Sequence, residues 1–126
     1  MVVDEDTIGE LLIAVYLEIG VTPERAAKAA AGWGGDRYVL LSGPNDAIAL
    51  ASLIAWDTED DAADFYQTFL HHMASLTGSQ WKTSDREGTQ QMVLLNRTVL
   101  LRLDGDRTLL IVAPDAALAT AAAGEF

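Results

Sequence analysis

The chain has 126 residues, half of them hydrophobic, and its formal net charge at neutral pH is −11. This length suits one domain with one core, so we expect residues 1–126 to form a single domain. The acidic charge and eight scattered basic residues argue against nucleic-acid binding, because a phosphate backbone would be repelled. The absence of cysteine excludes disulfides and cysteine-bound zinc. No apolar run approaches the roughly 18 residues of a membrane span.

The first third of the chain predicts two helices. The residues from Met1 to Asp6 are acidic, unlike the basic start of a signal peptide. Thr7 and Glu10 then have the spacing of a capping box, and an apolar stripe at helical spacing runs from Ile8 to Ile19. A second, alanine-rich helix is predicted from Glu24 to Ala31. Together the two helices predict an N-terminal αα-hairpin.

The middle of the chain predicts a β-hairpin followed by a long helix. Short strands are expected from Tyr38 to Ser42 and from Ala47 to Trp56, with turn-forming residues between them. The second strand is continuously apolar, which is typical of a central strand covered on both faces. Asp57-Thr58 is expected to cap the helix, and Gly78 to end it.

The last third predicts a β-meander and a terminal helix. Asp104-Gly105-Asp106 is a strong hairpin signal, and the helix is expected from Asp115 to Ala123. The predicted strands are 80–83, 91–95, 98–103 and 107–113. The expected fold is therefore α+β: an N-terminal αα-hairpin, then a mainly antiparallel sheet built from the β-hairpin, the long helix and the β-meander, with the helices on one face.

The usual catalytic and metal-binding patterns are absent from the sequence. His71 and His72 are adjacent, so on a helix they point about 100° apart and cannot chelate one metal as histidines at i and i+4 do. One is expected to flank the core and the other to face solvent. The acidic run from Glu59 to Asp61 suits the positive end of a helix dipole. No serine lies in a nucleophile elbow. We therefore predict no catalytic residue, no metal and no cofactor, and favour a protein that is not an enzyme.

One glycine-rich run is a candidate for recognition. Three glycines within four positions give the backbone unusual freedom, and a tryptophan, an aspartate and an arginine lie among them. One interpretation is a tight corner between a helix and a strand. The other is a binding surface, in which tryptophan stacks and arginine binds an acidic group. The candidate binding residues are Trp33, Gly34, Gly35, Asp36, Arg37 and Tyr38.

This run also carries a resemblance. Residues 29–38, Ala-Ala-Ala-Gly-Trp-Gly-Gly-Asp-Arg-Tyr, resemble a segment in the C-terminal part of exported or lipid-anchored proteins of haloarchaea and Chloroflexi-like bacteria. The similarity extends to residues 7–11 and 55–63. Some of those proteins resemble zinc peptidases upstream, but the His-Glu-x-x-His helix of that region has no counterpart here. The resemblance implies an accessory domain of a larger exported protein, located outside the cytoplasm.

Three functional hypotheses follow. The leading one is a non-catalytic accessory or binding domain that packs on a companion domain or protein partner, or presents substrate to it, through residues 33–38. The alternative is a stand-alone small-ligand-binding protein or enzyme, with a pocket between the sheet and the long helix where Tyr66, His71 or His72 meets Arg102. A third is weak self-association through an open sheet edge.

Overall fold

An antiparallel sheet forms the centre of the computed structural model, which describes residues 2–6, 33–84, 86–94 and 97–126. Across these residues the sheet has seven strands in the order β1-β2-β3-β7-β6-β5-β4, and all neighbouring pairs are antiparallel. The strands are β1 Val2–Asp6, β2 Trp33–Ser42, β3 Ile48–Trp56, β4 Lys82–Thr83, β5 Thr89–Val93, β6 Thr98–Asp104 and β7 Arg107–Ala113. The predicted α+β class and antiparallel sheet are confirmed.

In the described part of the chain two α-helices accompany the sheet, and both begin where the sequence predicts. Helix α1 spans Glu59–Thr77; the Thr58 side chain caps it by accepting a hydrogen bond from the Asp61 backbone N–H. Gly78 ends α1 in the left-handed conformation, with a φ of 71°. Helix α2 spans Ala116–Ala123, capped in the same way by Asp115.

The two described helices lie on opposite faces of the sheet, so the prediction that the helices share one face is wrong. Along β6, Val99 and Leu101 belong to the apolar cluster beneath α1, while the intervening Leu100 belongs to the cluster beneath α2. Successive strand residues point to opposite faces, so these clusters are on opposite sides. The physical reason is that the central strands are apolar on both faces, and each face needs a cover.

The central strand and the two predicted hairpins are confirmed. Strand β3 lies between β2 and β7, and its residues alternate between the two apolar clusters. Strands β6 and β7 are joined at Gly105, where a φ of 60° requires the conformational freedom of glycine. The short strand β4 lies at one edge of the sheet, close to its predicted place.

The N-terminal region differs from the sequence prediction in one respect. Val2–Asp6, for which no element is predicted, forms edge strand β1 and pairs with β2. The predicted αα-hairpin falls within residues 7–32, which lie outside the described part of the chain. Neither of the two helices described combines the length and apolar character needed to cross a bilayer.

Candidate functional site

The six candidate binding residues lie in strand β2 rather than in a corner between a helix and a strand. The structure starts β2 at Trp33, five residues before the predicted start at Tyr38. In the register with β3, Trp33 pairs with Trp56 and Tyr38 pairs with Ser52. The corner interpretation is therefore wrong for the backbone of residues 33–38. For residues 33, 34 and 36–38 the structure describes the backbone alone.

A bulge interrupts β2 within this segment. The register of β2 with β3 shifts between Trp33 and Gly35, so β2 carries one extra residue there. Gly35 has a φ of 150°, a value that glycine tolerates and other residues rarely adopt. The unusual backbone predicted from the glycine run is thus found at Gly35, in the form of a bulged strand.

Strand β2 is paired with β3 on one side. On its other side, a described strand pairs with only the Tyr38 end of residues 33–38. Strand β1 pairs with β2 from Tyr38, opposite Asp6, to Leu41, opposite Val2. Among the described residues, no strand pairs with Trp33–Arg37 on the side away from β3. Trp33–Arg37 is therefore paired with β3 on one side, while no described strand pairs with it on the other.

Beyond the first turn of the long helix, the space between the helix and the sheet is filled by apolar side chains. Phe65, Phe69 and Met73 of α1 pack with Leu101 and Met92 of the sheet in one buried cluster. The polar residues that were expected to meet in a pocket there are separated. Tyr66 and His72 are buried on the α1 face, His71 is exposed, and Arg102 is on a strand position that faces α2.

The ionisable groups on the α1 face show the effect of burial. Burial raises the pKa of Tyr66 above its ordinary value, and a hydrogen bond with Gln90 partly opposes the change. Burial lowers the pKa of His72, since an imidazolium would lose its hydration beside Phe69, whose ring centre lies 6.0 Å away. The expectation of one histidine at the core and one in solvent is confirmed.

The burial of His72 predicts that the stability of the protein depends on pH. In the unfolded chain His72 has its ordinary pKa near 6.5 and binds a proton more readily than in the folded protein. The contribution of neutral His72 to the free energy of unfolding is therefore fully present above pH 6.5. It is lost as the pH falls below that value, and the free energy of unfolding then changes by up to about 1.4 kcal/mol per pH unit. Urea denaturation between about pH 7.5 and pH 5.5 measures this slope.

One substitution tests the assignment of this slope to His72. His72→Gln should flatten the pH dependence, because it removes the buried imidazole. The same slope in wild type and His72→Gln would contradict the assignment.

A wide cleft of about 670 Å³ lies at the start of α1. Acidic residues of the first helical turn line one side, and the 86–88 turn and the β6–β7 hairpin line the other. The acidic run is accounted for by the helix: it lies in the first turn, and Asp61 accepts a hydrogen bond from the Thr58 hydroxyl. Within the described residues no three histidines or carboxylates are grouped as metal ligands.

The most unusual polar residue of the described sheet is Arg102. It is 5% exposed, and its Nη1 donates a hydrogen bond of 3.4 Å to the Ala123 carbonyl oxygen. Burial lowers the pKa of Arg102, as does the nearby positive charge of Arg86, while Asp104 raises it. Arg102 also lines the cleft at the start of α1, but Tyr66, His71 and His72 do not line it. The signal that could have located Arg102 is the alternation of β6, in which Arg102 shares a face with the core residue Leu100.

The described residues define an α+β domain with a helix on each face of an antiparallel sheet. A protein-family model described as a domain of unknown function (DUF8575) matches residues 1–123. Because the match covers nearly the whole chain, the chain belongs to this family. No curated protein matches the chain, and no solved structure matches it.

Proposed function

We propose that this chain is a non-catalytic accessory or binding domain, which packs on a companion domain or protein partner through residues 33–38 of β2. The observation that carries the proposal is the position of this segment. Its backbone is held by β3 on one side, while no described strand covers Trp33–Arg37 on the other. An uncovered strand edge presents a row of N–H and C=O groups to which another chain can pair.

The composition of the segment supports the same proposal. Tryptophan, tyrosine and arginine are the residues most enriched among those that dominate binding energy at protein interfaces. All three occur within six positions here, around the bulge at Gly35. The resemblance of residues 29–38 to a segment of larger exported proteins also favours an accessory role and a location outside the cytoplasm. An interface that holds substrate for the companion domain would use the same surface.

Substitution of Arg37 tests this proposal. Arg37→Ala should weaken association with the companion by about tenfold or more, since truncation of a dominant interface residue typically costs 2 kcal/mol or more. Arg97→Ala is the matched control, because it removes the same charge from an exposed position before β6. Isothermal titration calorimetry of the chain against the separately prepared companion measures both affinities.

The two variants must also keep the wild-type unfolding midpoint, so that a loss of binding reports the surface and not the fold. Wild-type affinity in a folded Arg37→Ala protein would contradict the proposal.

A further inference from the structure

A small cavity lies on the α2 face of the sheet, near the β6–β7 hairpin. Its volume is about 140 Å³. Leu53, Leu109 and Phe126 supply apolar lining. Arg102, Asp104 and Arg107 supply its charged groups. The cavity is separate from residues 33–38 and from the core beneath α1.

Arg102 is under-satisfied where it lines this cavity. A guanidinium has five N–H donors, but among the described residues this one makes a single hydrogen bond, the 3.4 Å contact with the Ala123 carbonyl. No carboxylate among the described residues lies within 4.0 Å of it, so it has no ion-pair partner there. A buried charge without a partner is costly, which is why buried arginines are usually paired.

The neighbouring positions add to this deficit. Arg102 pairs with Leu109 on one side and with Thr89 on the other, so all three lie in one row across the sheet. Thr89 is 3% exposed, and its hydroxyl has no hydrogen-bond partner within the described part of the chain. Two buried polar groups with unused hydrogen-bonding capacity are therefore adjacent.

A purely structural role accounts for only part of this arrangement. The Ala123 carbonyl belongs to the last turn of α2, where a positive charge stabilises the helix dipole. That contact uses one donor of the Arg102 guanidinium and leaves the others without a partner in the described part of the chain.

The outer part of the cavity contains a second arginine, Arg107. The Arg107 side chain is 63% exposed, and its Nε lies 4.0 Å from the Asp106 carboxylate, at the limit of an ion pair. The charged side chains of the lining are thus two arginines and one aspartate.

We propose that the cavity binds a small monocarboxylate with a short, branched apolar group. The carboxylate accepts hydrogen bonds from the Arg102 guanidinium, the fork-shaped donor that suits two carboxylate oxygens. The apolar group contacts Leu53, Leu109 and Phe126. A phosphate dianion is disfavoured, because it would place two charges near Asp104 and leave no group for the apolar lining.

Calorimetric titration of the full chain with sodium isobutyrate tests the proposal. We expect saturable binding in the millimolar range, reduced about tenfold or more in Arg102→Met, since a charge-assisted hydrogen bond contributes roughly this factor. Arg97→Met, at a distant exposed position, should bind like wild type. Equal affinity in wild type and a folded Arg102→Met, or no saturable binding to wild type, would overturn the proposal.

A second set of measurements does not depend on the folding of Arg102→Met. In the wild-type protein, neutral isobutyramide should not bind measurably, and sodium phosphate should bind more weakly than isobutyrate. Asp104→Asn should bind isobutyrate severalfold more tightly, because it removes a like charge from the exposed part of the lining. Binding of isobutyramide or phosphate as tight as that of isobutyrate would overturn the assignment.

Discussion

Leu101→Ala should lower the free energy of unfolding by about 2–5 kcal/mol. Leu101 is completely buried on the α1 face of β6, in one apolar cluster with Phe65 and Phe69. Truncation removes apolar surface from the core and leaves a cavity that the strand, hydrogen-bonded to β5 and β7, cannot close. Urea or guanidinium denaturation, with unchanged m-value, measures the loss.

Leu76→Ala is the matched control for this prediction. Leu76 is also a leucine, but its side chain is 54% exposed near the end of α1. The same chemical change should therefore cost about 0.5 kcal/mol or less. Similar losses for the two variants would mean that the core beneath α1 is not packed as described.

Gly88→Ala is expected to lower the free energy of unfolding by about 2–4 kcal/mol. Gly88 has a φ of 75°, where any other L-residue is strained. A Cβ added there would lie 2.5 Å from the Leu103 carbonyl oxygen, which belongs to strand backbone and cannot rotate away. Moving it would disturb the hydrogen bond from the Leu103 N–H to the Gly88 carbonyl.

Gly78→Ala isolates the steric part of that effect. Gly78 has a similar φ of 71°, but a Cβ built on it meets no atom within 4 Å. This variant should lose only the cost of the left-handed conformation, about 1–2 kcal/mol. An equal or larger loss for Gly78→Ala would contradict the close approach of Gly88 to β6. Thermal and chemical unfolding of both variants gives the comparison.

Much of the fold is predictable where local chemistry and tertiary packing agree. Thr58 caps the long helix, Gly78 ends it, and Asp104-Gly105-Asp106 marks the hairpin between β6 and β7. Continuous apolarity predicts a central strand, and β3 is paired on both sides. In each case a few adjacent residues contain the signal.

Other features depend on contacts that the local sequence does not reveal. Asp4, Glu5 and Asp6 are poor strand formers, yet they lie in β1 because β2 offers its edge to them. Gly34 and Gly35 suggest a turn, but pairing with β3 holds this segment in a bulged strand. Helix α2 is too rich in alanine to show an apolar stripe. The sequence therefore could not predict which face of the sheet this helix covers.

In the candidate sites, too, the sequence identifies the unusual residues but not their surroundings in the fold. The composition of residues 33–38 marks them as unusual, but only the sheet reveals which side of the segment is paired. Arg102 is visible as a charged residue within an apolar strand. Its burial beside α2 depends on a helix that follows in the chain and on which face that helix covers.

The intact mass of the natural polypeptide, isolated from its source, tests the accessory-domain proposal most directly. The 126 residues account for 13.5 kDa. We expect a mass well above this value, because an accessory domain belongs to the same polypeptide as the companion domain that residues 33–38 are proposed to contact. A mass near 13.5 kDa would contradict an accessory domain within a longer chain.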